Sequence, residues 1–383
     1  MKRIVAALIF ACCRSMAADL PLDSLKASLL EMRLAPIDAR APRGATEELT
    51  IAKHRLRDWV ESRLEGFPQA GNELLFSQKL NIELRSAKLF CSETNCQRDY
   101  LNGYLNSLIL RRSTGYLIVQ TAVGIQCGFD HSAYIYNWSV SGWNRVWQNE
   151  QTNYTTVHYT PQKLHAVLIS PYQEGQAPVV LTLGTHSWCS STWHPVYYRL
   201  FRLGAELAPR PSLHGSAMAW LGKDDSAVHG RISAEDAWIE YTILSIDGGA
   251  HNRQAVQHFK ITPTKIERIQ PVALRPRDFV EEWLQTGWQE AAAWSDTPDL
   301  GAQHLALHKP FVGGSYIETT KHCSAALWQV GIELGVPPKP FYFVVRWEKS
   351  NHFTMMHILN QPMPECHATD PNADEERTLF PAR

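Results

Sequence analysis

No apolar run among the 383 residues is long enough to cross a bilayer as a helix, which takes about 20 residues. Charge of one sign is missing too: Lys and Arg number 37 against 38 for Asp and Glu. A nucleic acid or a polybasic membrane contact therefore has no support from charge. Composition excludes disorder as the main state, since 44% of residues are hydrophobic and 20% charged. Catalytic signatures are absent as well. There is no Gly-x-Ser-x-Gly, no His-Glu-x-x-His, no phosphate loop and no Gly-x-Gly-x-x-Gly. No Cys-x-x-Cys pair occurs, which removes the commonest zinc spacing. No cofactor and no metal site are expected. Blade signatures are missing: no acidic calcium loop, no Trp-Asp strand ending, no double glycine at a regular offset. No family pattern is recognised.

What is present begins with an export signal. Lys2 and Arg3 precede an apolar stretch from Ile4 to Cys13, and Ser15 and Ala17 suit the small-x-small positions before a cleavage site. Residues 1–17 are read as a signal peptide cut after Ala17. A lipoprotein reading at Cys12 ranks lower, because Phe10 fits its consensus poorly. Removal takes Lys2, Arg3 and Arg14, leaving 34 − 38 = −4. It also takes Cys12 and Cys13, so 8 − 2 = 6 cysteines remain: Cys91, Cys96, Cys127, Cys189, Cys323 and Cys366. An even number in an oxidising compartment implies disulfides. Four turn-forming residues separate Cys91 from Cys96, so that pair is expected to staple a local loop.

Residues 18–70 read as helical. Thr46 is the expected N-cap of a helix with Leu49, Ala52, Leu56, Trp59, Val60 and Leu64 at three- and four-residue steps. Gly66, Phe67 and Pro68 end it. From about residue 75 to 270, short runs of Val, Ile, Leu, Tyr and Trp alternate with turns. The runs group in fours, and comparable strands start at Tyr116, Val179 and Trp238, 63 and 59 residues apart. A fourth strand of the second group is expected near Glu206. Recurrent four-stranded meanders at this spacing suit propeller blades, because one meander cannot bury both faces alone.

Residues 276–370 open on a helix. Asp278 is the expected N-cap, Glu281 completes a capping box, and Phe279, Val280, Trp283, Leu284, Trp288, Ala291 and Ala292 form its apolar face. Antiparallel strands follow, and residues 371–383 are a polar tail. The expected fold is mainly β: propeller-like repeats of four-stranded antiparallel meanders, with N-terminal helices and one inserted helix. The alternative is a β sandwich or barrel followed by an α+β C-terminal domain.

In a propeller, the loops joining second and third strands share one face. Those loops carry Asp130 and His131, then His186, Trp188, Trp193 and His194, then His251. Trp188 and Trp193 would offer stacking platforms, and the histidines with Asp130 hydrogen bonds, to a carbohydrate. The competing readings are a zinc site of three histidines and a plain structural closure of the loops. The expectation is an exported, disulfide-braced binding protein for a carbohydrate or a protein. The alternative is a secreted hydrolase or lyase with His131 or His186 as acid–base; whether the chain is an enzyme stays open. Cys127 lies 11 residues after Tyr116 and Cys189 lies 10 after Val179, in equivalent loops. That alignment predicts Cys127–Cys189, leaving Cys91–Cys96 and Cys323–Cys366. Glu281–Glu282 and Asp224–Asp225 read as a helix start and a turn. His258, His304, His308 and His357 read as strand residues.

Overall fold

The computed structural model describes residues 22–34, 43–91, 102–125, 128–151, 162–186, 193–220, 228–244, 252–308, 316–348 and 351–368. The chain is mainly β and divides into two compact units. One holds residues 1–191 and 198–214, the other 192–197 and 215–383.

The first unit begins with α1 (Leu22–Leu34), α2 (Arg43–Leu64) and α3 (Glu73–Ser86). A four-stranded antiparallel sheet follows in the order β1 (Leu105–Ser113), β2 (Tyr116–Ile125), β3 (Gly128–Ser139), β4 (Gly142–Asn149). All six apolar positions expected on α2 are buried. They share a core with Leu117 and Val119 of β2 and Tyr134 and Tyr136 of β3. The alternate residues Ile118, Ala133, Ile135 and Trp147 belong to a second core with Leu164, Val167 and Val180. Both faces of this sheet are covered, which is why β2 reads as a nearly unbroken apolar run. Those last residues lie on β5 (Gln162–Ile169) and β6 (Val179–His186).

Two expectations fail in this unit. Thr46 does not cap α2, which already starts at Arg43; Ala45 and the following Glu residues are good helix formers and carry the helix back through Gly44. The region after residue 73 is helix α3, not strand. Asn72 caps it, its Oδ1 accepting the Leu75 N–H at 2.9 Å. Its apolar residues do not form one stripe, since Leu74, Leu75 and Ile82 are exposed while Leu80 and Leu84 are buried.

The boundary between units falls inside β7 (Trp193–Arg202). Next come β8 (Leu213–Trp220), β9 (Val228–Ile232), β10 (Asp236–Leu244), β11 (Asn252–Ile261) and β12 (Ile266–Ile269). The strand order is β12-β11-β10-β8-β7-β6-β5, with β9 beside β10. β8 meets β10 at one residue pair, Ala219 with Ile243. The expected strand near Glu206 is displaced to β8. Pro209 and Pro211 lie in the segment before it and cannot donate to a ladder. Each sheet order is open, and no closed ring of strands occurs among the described residues.

The second unit continues with α4 (Pro276–Gln285), α5 (Trp288–Ala291), a 3₁₀ turn (Ala292–Trp294) and α6 (Leu300–His308). The last sheet has the order β16-β15-β14-β13-β17, built from β13 (Tyr316–Ser324), β14 (Leu327–Leu334), β15 (Lys339–Trp347), β16 (Phe353–Leu359) and β17 (His367–Ala368). Phe279, Val280, Trp283 and Leu284 of α4 share a core with Val330, Ile332, Phe343, Phe353 and Met355.

The expected helix start is corrected. Arg275 occupies the N-cap without a side-chain hydrogen bond, and Pro276 opens the helix, a position where its missing N–H costs nothing. Asp278 and Glu281 are buried instead of capping. The helix also stops at Gln285, and extended backbone at Thr286 and Gly287 separates it from α5. His304 and His308 lie on α6, not on strands. The Nε2–H of His304 donates to the Trp283 carbonyl at 2.9 Å, and the Nδ1–H of His308 to the Leu284 carbonyl at 2.7 Å. They satisfy carbonyls at the end of α4 that have no partner within the helix.

Cys323 and Cys366 form a disulfide, and Cys91 is also disulfide-bonded. Cys96, Cys127 and Cys189 lie outside the described residues. Among those residues no helix is long and apolar enough to cross a membrane.

Candidate functional site

Asp130 does not lie in a loop. β2 and β3 are joined so tightly that Asp130 pairs in register with Val123 and His131 with Ala122. Asp130 is 1% exposed. Its Oδ2 accepts Lys53 Nζ at 2.7 Å and its Oδ1 accepts the Gln162 N–H at 3.1 Å. Lys53, from α2, also donates to the Gln151 carbonyl at 2.6 Å. Asp130 therefore joins a helix to a sheet and faces inward.

Gln162 gathers three of the expected residues. It bonds Asp130, its Nε2 donates to the His131 carbonyl at 3.4 Å, and it is the register partner of His186. Asp130, His131 and His186 therefore meet at the start of β5. His194 and the backbone of Trp193 belong to the other unit. Trp188, His251 and the Trp193 side chain lie outside the described residues.

Lys53 is the first of three charged residues on one stripe of α2, followed by Arg57 and Glu61 at successive four-residue steps. Arg57 Nη1 lies 3.1 Å from Glu150 Oε2. Glu61 Oε1 accepts Tyr136 Oη–H at 3.0 Å and pairs with Arg145 Nη1 at 2.8 Å. Glu150 sits just past the end of β4 with its side chain 1% exposed; His54 Nε2 lies 3.0 Å from its Oε1. Tyr134 Oη–H donates to Glu150 Oε2 at 2.9 Å. Burial works against the Arg57 charge, but the Glu150 and Asp58 carboxylates outweigh it and raise its pKa. Burial, reinforced by Glu150, pushes the Tyr134 hydroxyl well above its ordinary pKa.

Glu150 lines a cavity of about 390 Å³ with Gln148, Asn149, Arg199 and Phe201, within the roughly 300–1,000 Å³ of small-molecule sites. Segment 207–211 closes one side, tied down by the Gln148 N–H bonding the Leu207 carbonyl at 2.7 Å. Trp147 braces Phe201 edge-on at 5.4 Å between ring centres. Gln148 Oε1 and Asn149 Nδ2 are buried with no hydrogen-bond partner in the protein. Two amide residues, an acid, an arginine and a phenylalanine thus contribute to the lining of one hollow. Hydroxyl groups both donate and accept, so a polyhydroxylated molecule suits a lining of mixed polarity.

Glu150 is the one carboxylate in the lining, whereas glycoside hydrolysis ordinarily needs two flanking one bond. Among the described residues no three metal-ligating side chains converge. None of the expected site residues among the described residues lines this cavity. Its signal in the sequence is the run Gln148, Asn149, Glu150, Gln151, dense in amides around one acid directly after Trp147.

No protein-family model matches the sequence, and no curated protein matches it.

Proposed function

We propose that the protein is a binding module for a saccharide, held in the cavity beside Glu150. One observation carries the reading: Gln148, Asn149, Glu150 and Arg199 line one hollow of about 390 Å³. Sugar hydroxyls both donate and accept, which matches a lining of amides, an acid and a guanidinium. Phe201 adds an apolar residue to the same lining. Export through residues 1–17 and disulfide bracing suit a ligand met outside the cell. The finer fold reading, propeller-like copies of one meander, draws support from the second strands β2, β6 and β10, which begin at Tyr116, Val179 and Asp236.

The test is a glycan array probed with the full chain, followed by calorimetry on the strongest hit. Asn149→Leu and Gln148→Leu are expected to weaken binding about 10- to 100-fold, the loss of one buried hydrogen bond each, with the melting temperature unchanged or raised. Undiminished affinity in both variants places the ligand elsewhere. Release of reducing ends from a bound polymer supports the hydrolase alternative instead.

A further inference from the structure

The second unit carries a cavity of different chemistry. It has a volume of about 450 Å³ and opens where α6 meets the β14–β15 hairpin and the end of β16. Leu307 and Leu334 are core residues, and Phe341 and Ile358 pack against that core while staying partly exposed. The core of this helix-and-sheet layer thus runs out to solvent through the cavity wall. The rim adds Val336, 93% exposed, a hairpin-tip side chain whose apolar surface a bound molecule would cover.

Charge in the lining has one sign. Lys339 is its single ionisable side chain, with no Asp or Glu beside it. Lys339 is the register partner of Leu334 across the β14–β15 ladder, which sets their β-carbons roughly 4.5–5.5 Å apart. Its methylene stem can lie along the apolar wall while the ammonium reaches the mouth. Gln303 and Asn360 add neutral amides to the lining. Apolar walls with one uncompensated cation fit a ligand with an apolar tail and one anionic head. We propose that this cavity binds a medium-chain carboxylate, the tail against Leu307, Leu334, Phe341 and Ile358 and the head at Lys339.

The probes are octanoate, nonanoate, decanoate and 1-decanol, titrated calorimetrically into the full chain. Decanoate is expected to bind saturably, each added methylene tightening binding about fourfold. The alcohol is expected to bind about 1.5- to fivefold more weakly, since an exposed charge pair contributes little. Lys339→Gln is expected to bring acid and alcohol to one affinity. Ala306→Trp, on the exposed side of α6 at the cavity edge, fills the space without disturbing the core and is expected to abolish binding. Absence of saturable decanoate binding overturns the proposal. So does binding that survives Ala306→Trp, or wild-type protein that takes the alcohol as tightly as the acid. This cavity and the Glu150 cavity share no residue, so neither outcome bears on saccharide binding.

Discussion

α2 and α4 do the same work in the two units, and both bury charge in doing it. Each lays an apolar stripe on a sheet and carries ionised residues beside that stripe. On α2 the charges meet partners from the sheet region in order: Lys53 with Asp130, Arg57 with Glu150, Glu61 with Arg145. On α4 the acids crowd. Arg253 of β11 lies 3.2 Å from Glu281 and 2.8 Å from Glu282, while Arg268 of β12 lies 2.6 Å from Glu282. Asp278 is buried in the same cluster, and burial lifts its pKa to about 6 although Arg253 pulls the other way. A perturbed acid alone would single out α4 as the functional helix. Yet the α4 charges bind element to element, whereas the α2 ladder leads to Glu150, which lines a cavity with Gln148, Asn149 and Arg199. Buried charge marks a site only where hydrogen-bonding capacity also opens to a ligand.

The comparison breaks most visibly at the stripe itself. Trp283 is fully buried in the α4 core. Trp283→Asp removes an aromatic worth about 3–5 kcal/mol and places a carboxylate against apolar walls at a further cost. Insoluble protein or loss of the cooperative melt is expected; a near-normal melting curve would mean that the stripe does not carry the packing.

Next in size is the first rung of the α2 ladder. Lys53→Met strips Asp130 of its counter-charge and is expected to cost about 3–5 kcal/mol in urea unfolding. Lys53→Met with Asp130→Leu is expected to recover most of that loss, since an apolar pair needs no compensation. No recovery in the double variant contradicts a mainly electrostatic penalty.

Asp278 sharpens the contrast through pH. Its folded pKa, about 6, lies above the ordinary aspartate value of 3.8, so the native state binds the proton more tightly than the unfolded chain. Its contribution therefore favours folding more as pH falls through 6 toward 4 and opposes folding above 6. Asp278→Asn is expected to stabilise the protein at pH 8 by up to about 3 kcal/mol. The gain should vanish near pH 3.5. Denaturant titrations at several pH values check it, and a gain independent of pH counts against the burial argument.

The last effect is a gain, not a loss. Gln148→Leu should leave unfolding free energy unchanged or raise it by up to about 1–3 kcal/mol, because the buried side-chain oxygen it removes has no protein partner. A large loss in a urea melt would make Gln148 a packing residue.

Much of this fold is legible from local periodicity. The α2 stripe is right at all six positions because one helix face meets one core. The Tyr116 and Val179 runs begin β2 and β6 because strands between covered faces must be apolar. Periodicity fails at α3, whose leucines point both ways, and at α4, where Glu281 sits at a capping-box position but turns inward to Arg253. The site was less legible. Lys53 and Asp130 lie 77 residues apart, and nothing in either neighbourhood announces the other. Asp130, His131 and His186 do come together, but through Gln162, a residue with no pattern of its own. Gln148 and Asn149 follow directly on Trp147, and only the fold makes them part of a cavity lining.

The saccharide site is tested most directly by a high-resolution crystal structure grown with the strongest array hit. The expected map shows the sugar in the hollow lined by Gln148, Asn149, Glu150 and Arg199, its hydroxyls within hydrogen-bond reach of that lining. A map in which the sugar occupies another surface, while ordered water alone fills the cavity beside Glu150, contradicts the account.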